Sequence, residues 1–192
     1  MESIGFKAVA NVGLESPSSP GTAIAWRKSL PVHDVFTLVQ CKAQIAKLGS
    51  YAFFNLHAPS GSDRKQDRHF FFSQEVFRGL CSFLSYTPLI AGDFNCVLSK
   101  MDVENGIGFS QKYCIALKDL VTSFKLVDTF RTEFPNKEEF TFYRPGKAAS
   151  RLDRFYVPKT LTEGSNTSHV ASLSDHCAAL LKISLDVTIN SV

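Results

Sequence analysis

Leu89-Ile90-Ala91-Gly92-Asp93-Phe94-Asn95 carries an apolar run, a turn and a polar pair within one short peptide. Pro88–Ala91 has the length of a buried strand, Gly92 ends it in a turn, and an Asp and an Asn follow two residues apart. Side chains alternate along extended backbone, so Asp93 and Asn95 are expected on one face with Phe94 buried behind them. A carboxylate acceptor beside an amide donor suits the positioning of a water against a phosphate. The same residues also read as an Asx-rich turn that closes a strand.

Outward from this peptide, strand-like runs precede it at Thr22–Trp26, Val35–Gln40 and Ser50–Leu56, the last apolar enough to be covered on both faces. Between them and Pro88 lies a polar loop, Ser60–Asp63, and then a helical pattern. Phe70, Val76, Phe77, Leu80, Cys81 and Leu84 recur at helical spacing, with Arg64, Lys65, Asp67, Arg68 and Glu75 on the wet face. Downstream, Tyr113, Cys114, Leu117, Leu120, Val121 and Phe124 mark a second amphipathic helix starting near Ser110. Strand candidates follow at Phe140–Tyr143, Leu152–Val157, His169–Ser172 and Cys177–Leu185. Strands alternating with two helices give a mixed α/β or α+β domain.

Two later peptides carry chemistry. Ser172-Leu173-Ser174-Asp175-His176 stands just before the apolar run Cys177–Leu185. There a hard carboxylate oxygen can bind magnesium, and an imidazole can contact a phosphoryl oxygen or move a proton. A capping Asp beside a surface His is the plainer alternative. Arg151-Leu152-Asp153-Arg154-Phe155-Tyr156-Val157 places a carboxylate between two arginines. Asp153 is suited to orienting a histidine, or else to a solvated ion pair with Arg151 or Arg154.

Composition sets the frame. The chain has 192 residues, 44% apolar and 20% charged with 17 Phe, which excludes collagen-like, coiled-coil and disordered classes. A net charge of +3 permits a polyanionic partner without arguing for one. No apolar run approaches the roughly 18 residues of a membrane span, and the first residues lack the pattern of a signal peptide. Five cysteines without a C-x-x-C pair argue against a disulfide framework, a disulfide-linked partner or a structural zinc site. The expected location is the nucleus or cytoplasm, with no membrane partner.

The three peptides, in this order, resemble the endonuclease/exonuclease/phosphatase superfamily. Within it they are similar to the apurinic-endonuclease-like domain of non-LTR (LINE-type) retrotransposon polyproteins. Gly92–Asn95 matches the family's Gly-Asp-Phe-Asn turn, Arg151–Asp153 its R-[LI]-D strand and Ser174–His176 its terminal Ser-Asp-His, with Asp93 and Asp175 82 residues apart. Gly21–Ala25 and Asn55-Leu56-His57-Ala58-Pro59 resemble two further upstream segments. The resemblance implies one domain over residues 1–192, an α+β fold built as a four-layer αββα sandwich of two mixed or antiparallel sheets.

The function implied is hydrolysis of a DNA phosphodiester with Mg²⁺, or Mn²⁺, as Lewis acid. Asp93 would orient or deprotonate the attacking water, and Asn95 would hold the scissile phosphate. Asp175 would bind metal, His176 would stabilise the phosphate, and Asp153 would orient His176. His57 stands where many relatives carry Tyr. Thr141–Gly146 falls in the region that approaches DNA, with Arg144 and Phe142 as contacts. Arg27, Lys28, Arg64, Lys65 and Arg68 read as a mostly solvated basic face with occasional phosphate contacts. A reverse-transcriptase region in a longer parent polyprotein is the implied partner.

Relatives begin with a strand carrying an active-site Asn, a helix, and a strand ending in a metal-binding Glu. This sequence is expected to start after both, with Met1–Asn11 as the strand that follows them. Glu2 and Glu15 do not end apolar strands, and Asn11 precedes a Gly-Ser-Pro loop, so none of the three replaces the absent residues. The consequences expected are a weakly held Mg²⁺ and an uncovered sheet edge open to pairing with another chain. Two other readings stand beside the endonuclease: a catalytically incomplete remnant or binding module, and a phosphoinositide or sphingomyelin phosphodiesterase, which Asp93-Phe94-Asn95 and Arg151-Leu152-Asp153-Arg154 disfavour.

Overall fold

The structure, a computed structural model, describes residues 5–13, 21–110 and 114–187. Glu2 and Glu15, and Tyr113 at the expected start of the second helix, lie outside them. The chain opens with a hairpin, β1 (Phe6–Asn11) against β2 (Thr22–Arg27). It continues through β3 (Val32–Val39), β4 (Ala43–Leu48) and β5 (Tyr51–His57), paired antiparallel in sequence. A crossover helix, α1, spans 65–82 and returns the chain to β6 (Thr87–Asp93), parallel to β5. There follow α2 (Ile115–Ser123), β7 (Leu126–Asp128), α3 (Thr129–Glu133) and β8 (Asp153–Pro158), then β9 (Asn166–Val170) and β10 (Ala178–Lys182).

Six strands make one mixed sheet in the order β3-β4-β5-β6-β8-β7, while β1–β2 and β9–β10 are separate antiparallel pairs. Period-two alternation splits the apolar residues of the large sheet between its faces. Ile45, Phe54, Ile90 and Tyr156 join Phe71, Phe72, Val76 and Leu80 of α1 and Leu117 and Leu120 of α2 in the main core. Tyr51, Leu89 and Val157 face the other way, toward Leu181, Ile183 and Leu185. Hairpin β1–β2 packs over β4 and β5 on that second face, and β10 packs over β8. This is the expected α+β sandwich. Among the described residues, the helices of the core cover one face of the large sheet, and the second sheet is in two pieces.

Several expectations shift on inspection. The crossover helix is α-helical over Lys65–Phe70, π-helical over Phe71–Val76 and α-helical again over Phe77–Ser82. The widened turns rotate the inward face, so Phe71 and Phe72 are buried while Phe70 is 56% exposed; Leu84, 73% exposed, lies in the turn past the helix end. Arg68 leaves the wet face: it is buried, and Nη1 donates to the carbonyls of Pro59 at 2.6 Å and Gly61 at 3.2 Å. It clasps a loop and is not available to phosphate. Phe140–Tyr143 is not a strand; Phe142 makes isolated bridges to Ser150 and His176. Asn11 is 3% exposed, donates to Thr22 Oγ1, Val39 O and Ala43 O, and accepts from Cys41 N, so it ties the hairpin to the β3–β4 turn.

Candidate active site

The pocket is assembled at the ends of three neighbouring strands. His57 ends β5, Asp93 ends β6 and Asp153 begins β8; His57 is in register with Asp93, and Asp93 with Asp153. Residues in register on adjacent strands share a face, so the three side chains form a row across the sheet. That row lies on the same face as Leu89 and Val157, by the alternation of β6 and β8.

Gly92 makes the row possible. Its φ is +136°, and a Cβ there would lie 1.9 Å from the Leu56 carbonyl oxygen, so β6 closes onto β5 only with glycine at this position. The chain then turns: Asn95 has φ +48°. Alternation along a strand is therefore not what brings Asp93 and Asn95 together. A left-handed turn does it, while Phe94 is fully buried against Phe72 and Tyr156. Asp93 Oδ1 accepts from Asn95 N at 2.8 Å and Oδ2 from Asn95 Nδ2 at 2.9 Å. Asn95 Nδ2 also donates to Ala58 O at 2.9 Å, so one amide hydrogen braces the Asp93 carboxylate and the other ties the side chain to the Ala58 carbonyl.

His176 arrives from the loop before β10, and its Nδ1 stands 2.8 Å from Asp153 Oδ2. Thr141, fully buried and not singled out in the sequence, holds the two partners in place. Its hydroxyl accepts from the backbone N–H groups of Leu152 and Asp153, each at 3.0 Å, and its carbonyl accepts from Cys177 N at 2.7 Å. One residue thus fixes the strand bearing Asp153, through its hydroxyl, to the loop bearing His176, through its backbone carbonyl. A Thr between two Phe gives no sequence signal for such a role. Phe142 packs on the His176 ring at 5.0 Å between centroids, and Tyr143 N donates to Asp175 O at 2.7 Å.

The solvated ion pair that Arg151 or Arg154 offered to Asp153 does not form. Both arginines are buried, and Arg154 alternates to the opposite face of β8 from Asp153. Arg151 donates to Asp128 through Nη1 and Nη2 at 3.1 and 2.6 Å, and to Asp102 through Nε at 2.9 Å. Arg131 reaches the same Asp102 oxygen at 2.7 Å. Arg154 donates to Cys96 O at 2.7 Å and Arg151 O at 2.6 Å. This layer anchors both sides of Asp153 and leaves its carboxylate to His176.

Electrostatics follow from the geometry. Burial, with the like charge of Asp153 second, raises the Asp93 carboxyl above the ordinary carboxylate range, against the hydrogen bond from Asn95 N. The hydrogen bond to Asp153 raises His176 above the ordinary imidazole value; burial opposes it, and the charges of Asp153, Asp93 and Asp175 add to it. The pocket therefore pairs a carboxylate that readily takes a proton with an imidazole that keeps one.

The model of the Endonuclease/Exonuclease/phosphatase family matches residues 5–176. The chain belongs to that family. It is 30% identical over 149 residues to the "Transposon TX1 uncharacterized 149 kDa protein" of Xenopus laevis, covering 71% of this chain and 10% of that protein. The chain thus spans about a tenth of the length of that curated relative. Among solved structures, an AP endonuclease from Archaeoglobus fulgidus superimposes with TM-score 0.79 at 20% identity over 94% of this chain and 80% of its own. A 3'-5' exonuclease from Neisseria meningitidis gives 0.74 at 16% identity, with 94% and 80% covered. The AP endonuclease LMAP from Leishmania major gives 0.72 at 16% identity, with 90% and 68% covered. These likenesses establish the fold.

In this member of the endonuclease/exonuclease/phosphatase family, no group of three or more His, Cys, Asp or Glu side chains among the described residues stands close enough to hold a metal ion. Mg²⁺ asks for less: one or two carboxylates, the rest of its shell being water and phosphate oxygen. Asp93 is raised by burial and then by the like charge of Asp153, and Asp175 is exposed beside His176. Such hard oxygens fit an open, weak Mg²⁺ site and not an enclosed one. Of the expected DNA contacts, Arg144 is exposed in a turn beside Tyr143, whereas Phe142 is spent on the His176 ring. No helix among the described residues is long and apolar enough to cross a membrane.

Proposed function

We propose that this chain is the endonuclease domain of a LINE-type retrotransposon and nicks DNA by hydrolysing a phosphodiester. The observation that carries the reading is the convergence of Asp93, Asp153 and His176 from β6, β8 and the loop before β10. A water at Asp93 gives its proton to that carboxylate while its oxygen bonds to phosphorus. The opposite P–O bond breaks, and the leaving sugar oxygen takes up a proton to become a hydroxyl. His176, held as an imidazolium by Asp153, donates to a phosphoryl oxygen as negative charge grows there. Asn95 braces the Asp93 carboxylate; it reaches a phosphate by releasing one of its two present acceptors. His57, at the end of the row, supplies a further donor.

Mg²⁺ would be held by Asp175 with water filling the rest of its shell, and would supply neutralisation of charge on the phosphoryl and leaving oxygens; Mn²⁺ suits the same donor. Arg144 contacts the DNA backbone, and Phe142 acts there by holding His176. The transposon name and 149 kDa size of the Xenopus relative support the transposon reading and a longer parent polyprotein, in which a reverse transcriptase is the partner the family resemblance implies. Nucleus or cytoplasm is the setting for a DNA substrate. The open metal site favours one second reading, a module that binds DNA without cutting it.

Plasmid nicking tests the proposal. Supercoiled DNA is expected to become open circles with Mg²⁺ and to stay intact with EDTA. Asp175→Asn is expected to raise the Mg²⁺ concentration for half-maximal rate by about tenfold or more. Nicking that ignores EDTA overturns the metal assignment. Retention of DNA with no strand break at any Mg²⁺ concentration replaces the nuclease by the binding module.

A further inference from the structure

One residue past the ring that packs on His176, the chain lines a second, open cavity of about 480 Å³. Phe142 holds the His176 ring at 5.0 Å, and Tyr143 N donates to Asp175 O at 2.7 Å. The cavity is thereby fastened to the catalytic loop. Tyr143, 48% exposed, forms a wall with Phe140, their rings edge to face at 6.5 Å. Arg144 and Lys147 line it from the turn in which Gly146 has φ +74°. Glu104, which opens a short 3-10 turn, and the buried Ala149 line it as well.

Glu104 is held at both ends. Its N–H donates to Ala149 O at 2.8 Å, and its Oε2 accepts from Ala149 N at 3.1 Å. Among the described residues, Glu104 Oε1 has no hydrogen-bond partner, and the side chains of Arg144 and Lys147 make no hydrogen bond or ion pair. A fixed acceptor, two uncommitted cations and an exposed aromatic ring therefore converge. A plain anion would suit the cations but be repelled by Glu104. One nucleotide of a DNA strand suits all of them. Its flanking phosphates meet Arg144 and Lys147, its base lies against Tyr143, and an amino hydrogen on its edge reaches Glu104 Oε1. The volume falls within the range of small-ligand sites.

The carboxylate also gives the cavity a preference. It only accepts hydrogen bonds, and adenine, cytosine and guanine each carry an exocyclic amino group, whereas thymine carries none. Tyr143 is one residue from Phe142, at most about 3.6 Å of chain, against about 3.4 Å per nucleotide along a strand. The nucleotide read here consequently lies within about three of the phosphate at His176. Building on the nuclease reading above, we infer that this cavity is a base-reading subsite in which Glu104 is the specificity-determining residue, admitting amino-bearing bases and refusing thymine.

Mapping nick positions by sequencing, on supercoiled plasmids carrying a randomised insert, tests the inference. With the unaltered chain, thymine is expected to be depleted about tenfold or more at one position close to the nick, the worth of one hydrogen bond to a charged acceptor. Glu104→Gln keeps an oxygen for Ala149 N and turns an amide N–H₂ into the cavity. Thymine, with its carbonyl acceptors, should then return at that position while total nicking is unchanged. A second arm needs no variant: duplexes with adenine or unsubstituted purine at that position differ by the amino group alone, and the purine duplex should be nicked about tenfold more slowly. Thymine tolerated at every position, depletion that persists in Glu104→Gln, or equal rates for adenine and purine each overturn the subsite and leave the nuclease standing. Plasmids left without nicks overturn the nuclease reading and the subsite with it.

Discussion

Asp102→Asn is expected to destabilise the fold by about 3–5 kcal/mol, the cost of breaking a buried ion pair from one side. Asp102 is 1% exposed and receives Arg131 and Arg151, with Arg154 at 3.5 Å. Removing its charge leaves the fully buried Arg151 and Arg154 sharing Asp128 alone, and Arg131 with only backbone carbonyls. Urea denaturation at neutral pH measures the effect as a lower midpoint with an unchanged slope. A loss within about 0.5 kcal/mol, as for a surface substitution, would contradict the buried layer. The same group sets an acid limit. Burial pushes its carboxyl up, but Arg154, Arg151 and Arg131 outweigh it and hold the pKa at about 2, below the ordinary 3.8. The depressed value contributes about 2 kcal/mol of stability above pH 4, lost as pH falls toward 2.

The second large effect is on catalysis. Asp93→Asn keeps the shape of the side chain and an acceptor for Asn95 N, so the fold should survive, but the base that takes the water's proton is gone. Nicking is expected to fall by roughly 10²–10⁴-fold, the usual worth of a positioned general base. Equal rates for the two proteins would remove Asp93 from the chemistry. In the unaltered enzyme the rate should climb as pH passes the raised pKa of Asp93 and decline as His176 loses its proton above its own raised value.

Much of this arrangement was legible in the sequence because short peptides carry it. Gly92 to Asn95 announces a strand end with two polar groups, and Asp153 and His176 each stand beside a strong strand signal. What could not be read is long-range. Ala43–Leu48 mixes Gln44 and Lys47 into a buried strand, in which Gln44 Nε2 donates to the Val9 carbonyl of β1. The π-helical turns of α1 break the period on which the choice of inward phenylalanines rested. Thr141, Asp102 and Asp128 act through partners 11 to 49 residues away, and no local pattern marks them.

Most direct of all is the titration of His176 by NMR, which reports whether the segments converge whatever the rate of nicking. If Asp153 and Asp93 surround the ring, its pKa lies above the ordinary imidazole value, falls in Asp153→Asn, and falls by a smaller amount in Asp93→Asn. A His176 that titrates at the ordinary value of about 6.5 in all three proteins would show that the side chains do not share a pocket.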